Sequence, residues 1–115
     1  MILHDEPSGL FTLHTRATAY QMKVDEHRVL LHTYYGPKIP DQDLSGLLLR
    51  TDRGFSPNPY EAGADRTYSL DVMPQEYSTC GVGDFRLPSI ELELPSGSHT
   101  CDLRYCGCEM RPGKY

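Results

Sequence analysis

The chain has 115 residues, 38% hydrophobic and 23% charged, which fits one small domain with an adequate but not generous core. Its net charge of −5, from 16 acidic and 11 basic side chains with no basic run, argues against a phosphate-tracking nucleic-acid surface. No stretch reaches the roughly 20 apolar residues of a membrane span, and the opening MILHDEPSG lacks the positive flank and apolar core of a secretory leader, so the cytoplasm is the expected compartment.

Strand periodicity dominates the first third. Phe11 and Leu13 alternate with Thr12 and His14, and Tyr20, Met22 and Val24 alternate with Gln21 and Lys23. The polar break DEHR then separates the second strand from VLLHTYYG, residues 29–36, and predicts a hairpin. Residues 38–88 are different, punctuated by proline, glycine and Asp-containing turns. Only DLSGLLLR, residues 43–50, has a helical option, and it lacks a full amphipathic repeat. Phe55, Tyr60, Tyr68, Tyr77 and Phe85 favour an ordered, packed loop here over disorder. Further on, the alternating IELEL, the turn PSGS and HTCDLRY predict a second hairpin, with Cys101, Leu103 and Tyr105 on one face. The last residues, CEMRPGKY, read as a cut inside a longer protein.

The chemistry-bearing residues form few constellations. His99, Cys101, Cys106 and Cys108 give the spacing H-x-C-x4-C-x-C, whereas structural zinc sites favour two knuckles of ligands two to four residues apart. Free thiols are therefore expected, with a small zinc-binding β domain as the weaker alternative. His4, His14, His27, His32 and His99 are scattered, and neither a nucleophile elbow nor a glycine-rich phosphate loop occurs. The acids read as turn formers and surface charges, so no catalytic residue is expected in this chain.

One stretch stands apart: RTDRGFSPNPYEAGADR, residues 50–66, sets charge around Phe55 and two prolines. The prolines fix φ and make a stiff turn. Asp52 and Arg66 flank it and could meet as a salt bridge if the loop doubles back. That pair is either a loop clamp or a charged tip offered to a polar ligand, with Phe55 as its apolar wall. Sugars suit such a tip, because carboxylate and guanidinium groups hydrogen-bond hydroxyls and a ring covers a C–H face.

FSPNP, DRTYSLDVMPQEY, GVGDFRLPSIEL and CDLRY, together with AYQMKVDEHRVLLHTYYGPKI earlier, resemble in the same order the N-terminal domain of the family 36 glycoside hydrolases. These are tetrameric bacterial and fungal α-galactosidases. The resemblance covers nearly the whole chain and implies an all-β fold: part of an antiparallel β-sandwich (supersandwich) with a long ordered loop in the middle. Residues 1–115 would be the N-terminal portion of that domain. In the family a (β/α)8 barrel follows and carries both catalytic aspartates, one in a Lys-Tyr/Trp-Asp motif that this chain lacks. The implied parent reaction is retaining hydrolysis of terminal α-galactosyl residues from oligosaccharides such as raffinose and melibiose, using two carboxylates and no metal or cofactor. The implied partners are the rest of the chain and neighbouring subunits of a tetramer, with no nucleic acid and no membrane. Family tetramers send a loop of this domain into a neighbour's pocket, and by FSPNP and DRT that role falls on Asp52, Arg66 and Phe55. The four cysteines depart from the family's usual residues. The alternative from another class is a stand-alone β-sandwich module that binds carbohydrate or protein without catalysis.

Overall fold

A computed structural model describes residues 1–52, 54 and 58–113. They form a four-stranded antiparallel sheet in chain order: β1 (Ile2–Asp5), β2 (Leu10–His14), β3 (Thr18–Val24) and β4 (Leu30–Pro37). The helical content of the described residues is two short 3-10 turns, Ser45–Leu47 and Tyr60–Ala62, so the protein is all-β. Residues 43–50 thus make a single 3-10 turn, not a helix.

β1 is a strand that sequence periodicity does not announce, being only four residues long. It pairs from Ile2 opposite Leu13 to Asp5 opposite Leu10. The connecting turn depends on Gly9, at φ +69°, whose carbonyl accepts the Val24 amide at 2.9 Å. A Cβ there would stand 2.8 Å from Val24 O, too close for any other residue without a shift.

The predicted β3–β4 hairpin forms, with a register shift between Gln21 and Met22. Its DEHR turn is built by Asp25, whose Oδ1 accepts the amides of His27 (2.9 Å) and Val29 (2.8 Å). Arg28 takes the left-handed conformation, φ 63°, that closes the turn.

The described residues of the long middle segment pack on the sheet. Tyr68, Leu70 and Met73 join Val29 and Leu31 in the buried core, flanked by Leu48, Ala62, Val72 and Val82. Residues 74–76 line the edge of β4: the His32 amide donates to Pro74 O at 2.7 Å and the Glu76 amide to Leu30 O at 2.9 Å. That pairing covers a strand edge that would otherwise present open backbone groups. Asp84 is buried and takes two hydrogen bonds from the Arg86 guanidinium, at 2.9 and 2.7 Å, and one from the Arg86 amide at 3.0 Å, while the same guanidinium reaches Leu70 O and Met73 O at 2.8 and 2.7 Å. On the sheet, the buried Gln21 amide donates to Thr12 Oγ1 and Gln42 O and accepts from Thr33 Oγ1 and the Leu44 amide. This fully satisfied side chain ties residues 42–44 to the sheet, beside the Lys23–Asp43 ion pair.

The second predicted hairpin is not a strand pair. Its turn forms, with Leu94 N–H to Ser98 O at 2.9 Å and Gly97 N–H to Leu94 O at 2.8 Å, but no ladder follows. The two arms go to different partners instead. Ile90 N–H donates to Ser78 O, Cys101 N–H to Cys80 O, and Tyr105 N–H to Arg28 O. A backbone donor used there is lost to the hairpin, and Leu92 and Leu94, 40% and 41% exposed, find no apolar layer to bury their face. The radius of gyration, 15.7 Å, exceeds the ~13 Å expected of a closed domain of this length, in line with such open arms.

Candidate binding loop

The structure brings Asp52 and Arg66 together. Arg66 Nη2 lies 3.2 Å from Asp52 Oδ1 and 3.4 Å from Gly54 O, and Asp52 Oδ1 also accepts the Gly54 amide at 2.8 Å. Phe55, the third residue of the predicted site, lies outside the described residues. The Asp52 and Arg66 side chains are 52% and 62% exposed. An ion pair this open is worth about 0–1 kcal/mol, so it cannot by itself be what holds the loop.

What holds it is a set of contacts at its base. Arg50 forks onto Glu26 at 2.8 and 3.3 Å and lies 5.3 Å from the Tyr68 ring centre. Those hydrogen bonds hold the Glu26 carboxyl below its usual range and raise the Arg50 guanidinium. At the other end, the Tyr68 hydroxyl donates to Asp25 Oδ2, and the His27 ring meets the Tyr68 ring edge-on at 4.5 Å. Burial, reinforced by the Asp25 hydrogen bond, pushes the Tyr68 phenol far above its ordinary value. Arg104 adds a third tie through its hydrogen bond to His27 O at 2.9 Å. Both ends of the loop, and the C-terminal arm, are thus fastened to the DEHR turn.

Within the loop, Asp65 shapes the return. Its carboxylate accepts the Thr67 hydroxyl at 2.6 Å and the Thr67 amide at 2.9 Å, which lowers its pKa. The turn Tyr60–Ala62 ends on Gly63 at φ 57°, and Tyr60 stands 97% exposed. The chain thereby presents a charged pair and an aromatic ring on a braced frame.

A second polar cluster was not visible in the sequence because its members lie far apart along it. Tyr20 OH donates to Glu76 Oε2 at 2.6 Å, and His32 Nδ1 lies 3.3 Å from Glu76 Oε1. Burial and then Glu76 push the Tyr20 phenol up to about 12. An open groove of about 1030 Å³ lies elsewhere, between the β1–β2 turn, residues 45–50 and residues 105–110, with Asp52 and Arg66 outside its lining. Of the candidate metal ligands, Cys101 is tied by its backbone to Cys80, while Cys108 Sγ lies 3.7 Å from His4 Nδ1. Among the described residues, no three His, Cys, Asp or Glu side chains converge as a metal site would require.

The model of the Glycosyl hydrolase family 36 N-terminal domain matches residues 28–115. Over 114 residues the chain is 46% identical to the bifunctional alpha-galactosidase/sucrose kinase AgaSK of Mediterraneibacter gnavus, covering 99% of this chain and 12% of that protein. It is 38% identical over 113 residues to alpha-galactosidase AgaA of Geobacillus stearothermophilus, covering 98% and 15% respectively. The solved galactosidase domain of AgaSK superposes with a TM-score of 0.95, covering 100% of this chain and 16% of that one. Alpha-galactosidase AgaB of Geobacillus stearothermophilus superposes at 0.78 with 37% identity, covering 93% and 14%. The chain therefore spans 12% to 16% of the length of AgaSK and its galactosidase domain. A family match over most of the chain, joined to the same fold at high identity, shows that it belongs to glycosyl hydrolase family 36 as part of the N-terminal domain.

Proposed function

We propose that residues 1–115 are the non-catalytic N-terminal β portion of a cytoplasmic, tetrameric α-galactosidase, and that the 50–66 loop lines the substrate pocket of a neighbouring subunit. The parent reaction is retaining hydrolysis of terminal α-galactosyl residues, with raffinose and melibiose as expected substrates. Its two carboxylates, about 5–5.5 Å apart in retaining enzymes, come from a barrel outside this chain. AgaA, 39% identical over 85% of this chain, has been solved as variants in complex with raffinose and with stachyose, which supports that substrate class.

The observation that carries the role of the loop is its construction. Its ends are pinned to Asp25 and Glu26, while Asp52 and Arg66 stand 3.2 Å apart and more than half exposed. A loop braced at its ends, with an exposed charged pair just inside them, is organised for a partner surface: bracing removes the ordering cost of binding, and the charges supply hydrogen bonds to sugar hydroxyls. The test is turnover of a chromogenic α-galactoside. The full-length protein should hydrolyse it, and a preparation of residues 1–115 alone should match buffer. Turnover by the isolated segment, lost on mutating one of its acids, would overturn the reading. An inactive full-length protein that binds sugar would favour a binding module instead.

A further inference from the structure

Two cysteines that sequence reasoning treats as incidental stand opposite each other in the fold. The Cys101 amide donates to Cys80 O at 3.1 Å, and the Thr79 hydroxyl donates to Cys101 O. One residue further, Gly81 (φ +86°) lies so close to Thr100 that a Cβ would meet its side chain at 2.5 to 2.9 Å. A single N–H···O bond between two backbones holds their Cα atoms about 5–7 Å apart, overlapping the roughly 4.4–6.8 Å that a disulfide spans. Both are free thiols, Cys80 exposed and Cys101 half-buried.

We propose that Cys80 and Cys101 form a modification site, an oxidisable pair that closes to a disulfide on reaction with a small-molecule disulfide. The exposed Cys80 thiolate attacks one sulfur of the reagent, forming a mixed disulfide and releasing one thiolate. The Cys101 thiolate then attacks the Cys80 sulfur, forming the Cys80–Cys101 bond and expelling the second thiolate. The two protein thiols are oxidised, the reagent disulfide is reduced, and both protein protons leave to solvent. The bond would close a loop containing residues 91–100, every one of them exposed. Cys106 and Cys108 take no part; Cys108 is beside His4 at the other edge of the sheet.

The experiment uses the full-length protein with oxidised glutathione as the probe. The native protein is treated, its remaining thiols are alkylated, and it is digested without reduction and mapped by mass spectrometry. The expected result is a cross-linked peptide pair joining Cys80 to Cys101, with loss of both alkylated peptides and slower proteolysis within residues 91–100. Cys80→Ser, at an exposed position, should abolish the cross-link, and the double variant Cys106→Ser/Cys108→Ser should retain it. Persistent alkylation of both cysteines, glutathione adducts without the cross-link, or pairing of either with Cys106 or Cys108 would overturn the proposal.

Discussion

Replacing Tyr68 with phenylalanine tests what braces the 50–66 loop. Tyr68 is wholly buried, and its hydroxyl donates to Asp25 Oδ2. The substitution keeps the ring in its place among Val29, Leu31, Leu70 and Met73 and deletes one hydrogen bond to a charged acceptor. Such a bond is worth about 1.5–3 kcal/mol. Asp25 Oδ1 still accepts the His27 and Val29 amides, so the hairpin turn keeps its own closure and the loss falls on the base of the loop. At about 1.4 kcal/mol per factor of ten, local opening of the loop should become roughly 10- to 150-fold more frequent. Hydrogen exchange of the full-length protein, read by mass spectrometry, measures this directly. Amides held by loop bonds, those of Ala62, Gly63, Asp65, Thr67 and Tyr68, should exchange faster in Tyr68→Phe, and those of β2 and β3 should not. Unchanged exchange in the loop would refute the bracing role of the hydroxyl. Equal acceleration throughout the sheet would show a global loss of stability in place of a local one.

Three other predictions follow from the same contacts. Arg86→Ala leaves the buried Asp84 carboxylate with the Gln75 side-chain amide and the residue 86 backbone amide but without its cation, and takes one of two donors from each of Leu70 O and Met73 O, which keep Gln75; unfolding by urea should show a loss of about 2–3 kcal/mol, below the full buried-pair range because Arg86 is half exposed. The folded Tyr20 phenol is pushed up to about 12 against an unfolded value of 10.0, so its contribution to stability is complete below pH 10 and disappears as pH rises through about 12. Tyr20→Phe should therefore flatten the alkaline fall in melting temperature over that window, and an identical alkaline profile would contradict the assignment. Asp52→Ala or Arg66→Ala in the full-length protein should lower kcat/KM by about ten- to a hundredfold through lost hydroxyl contacts. The melting temperature should barely move, since an exposed pair contributes at most about 1 kcal/mol.

How much of this was legible in the sequence depended on how local each signal was. The β3–β4 hairpin was plain, because alternation in two strands and the DEHR break lie within one short stretch. The meeting of Asp52 and Arg66 was open in the sequence, as the outcome if the loop doubled back, and the pair does form. The residues 90–105 hairpin was misread for a physical reason: alternation reports that a strand could form, while the competing partners at Ser78, Cys80 and Arg28 lie far away in sequence. β1 was missed because four residues carry too little alternation, and its turn relies on the left-handed φ of Gly9 and the close approach of Val24, which only the fold displays. Arg50 and Tyr68 were visible as residues but not as anchors, because Glu26 and Asp25 sit more than twenty positions away. Their common landing place, the DEHR turn, became apparent only in three dimensions.

The claim that the 50–66 loop serves a neighbour's pocket is tested most directly by subunit mixing. One full-length variant carries Asp52→Ala/Arg66→Ala with an intact barrel. The other keeps the wild-type loop and loses a barrel aspartate. Each alone should be impaired, and co-expression should yield mixed oligomers whose kcat/KM recovers well above the sum of the two parents, because an intact barrel then receives a wild-type loop from the adjacent subunit. Mixed oligomers that form but show only the summed parental activity would contradict the account and place the action of Asp52 and Arg66 within their own subunit.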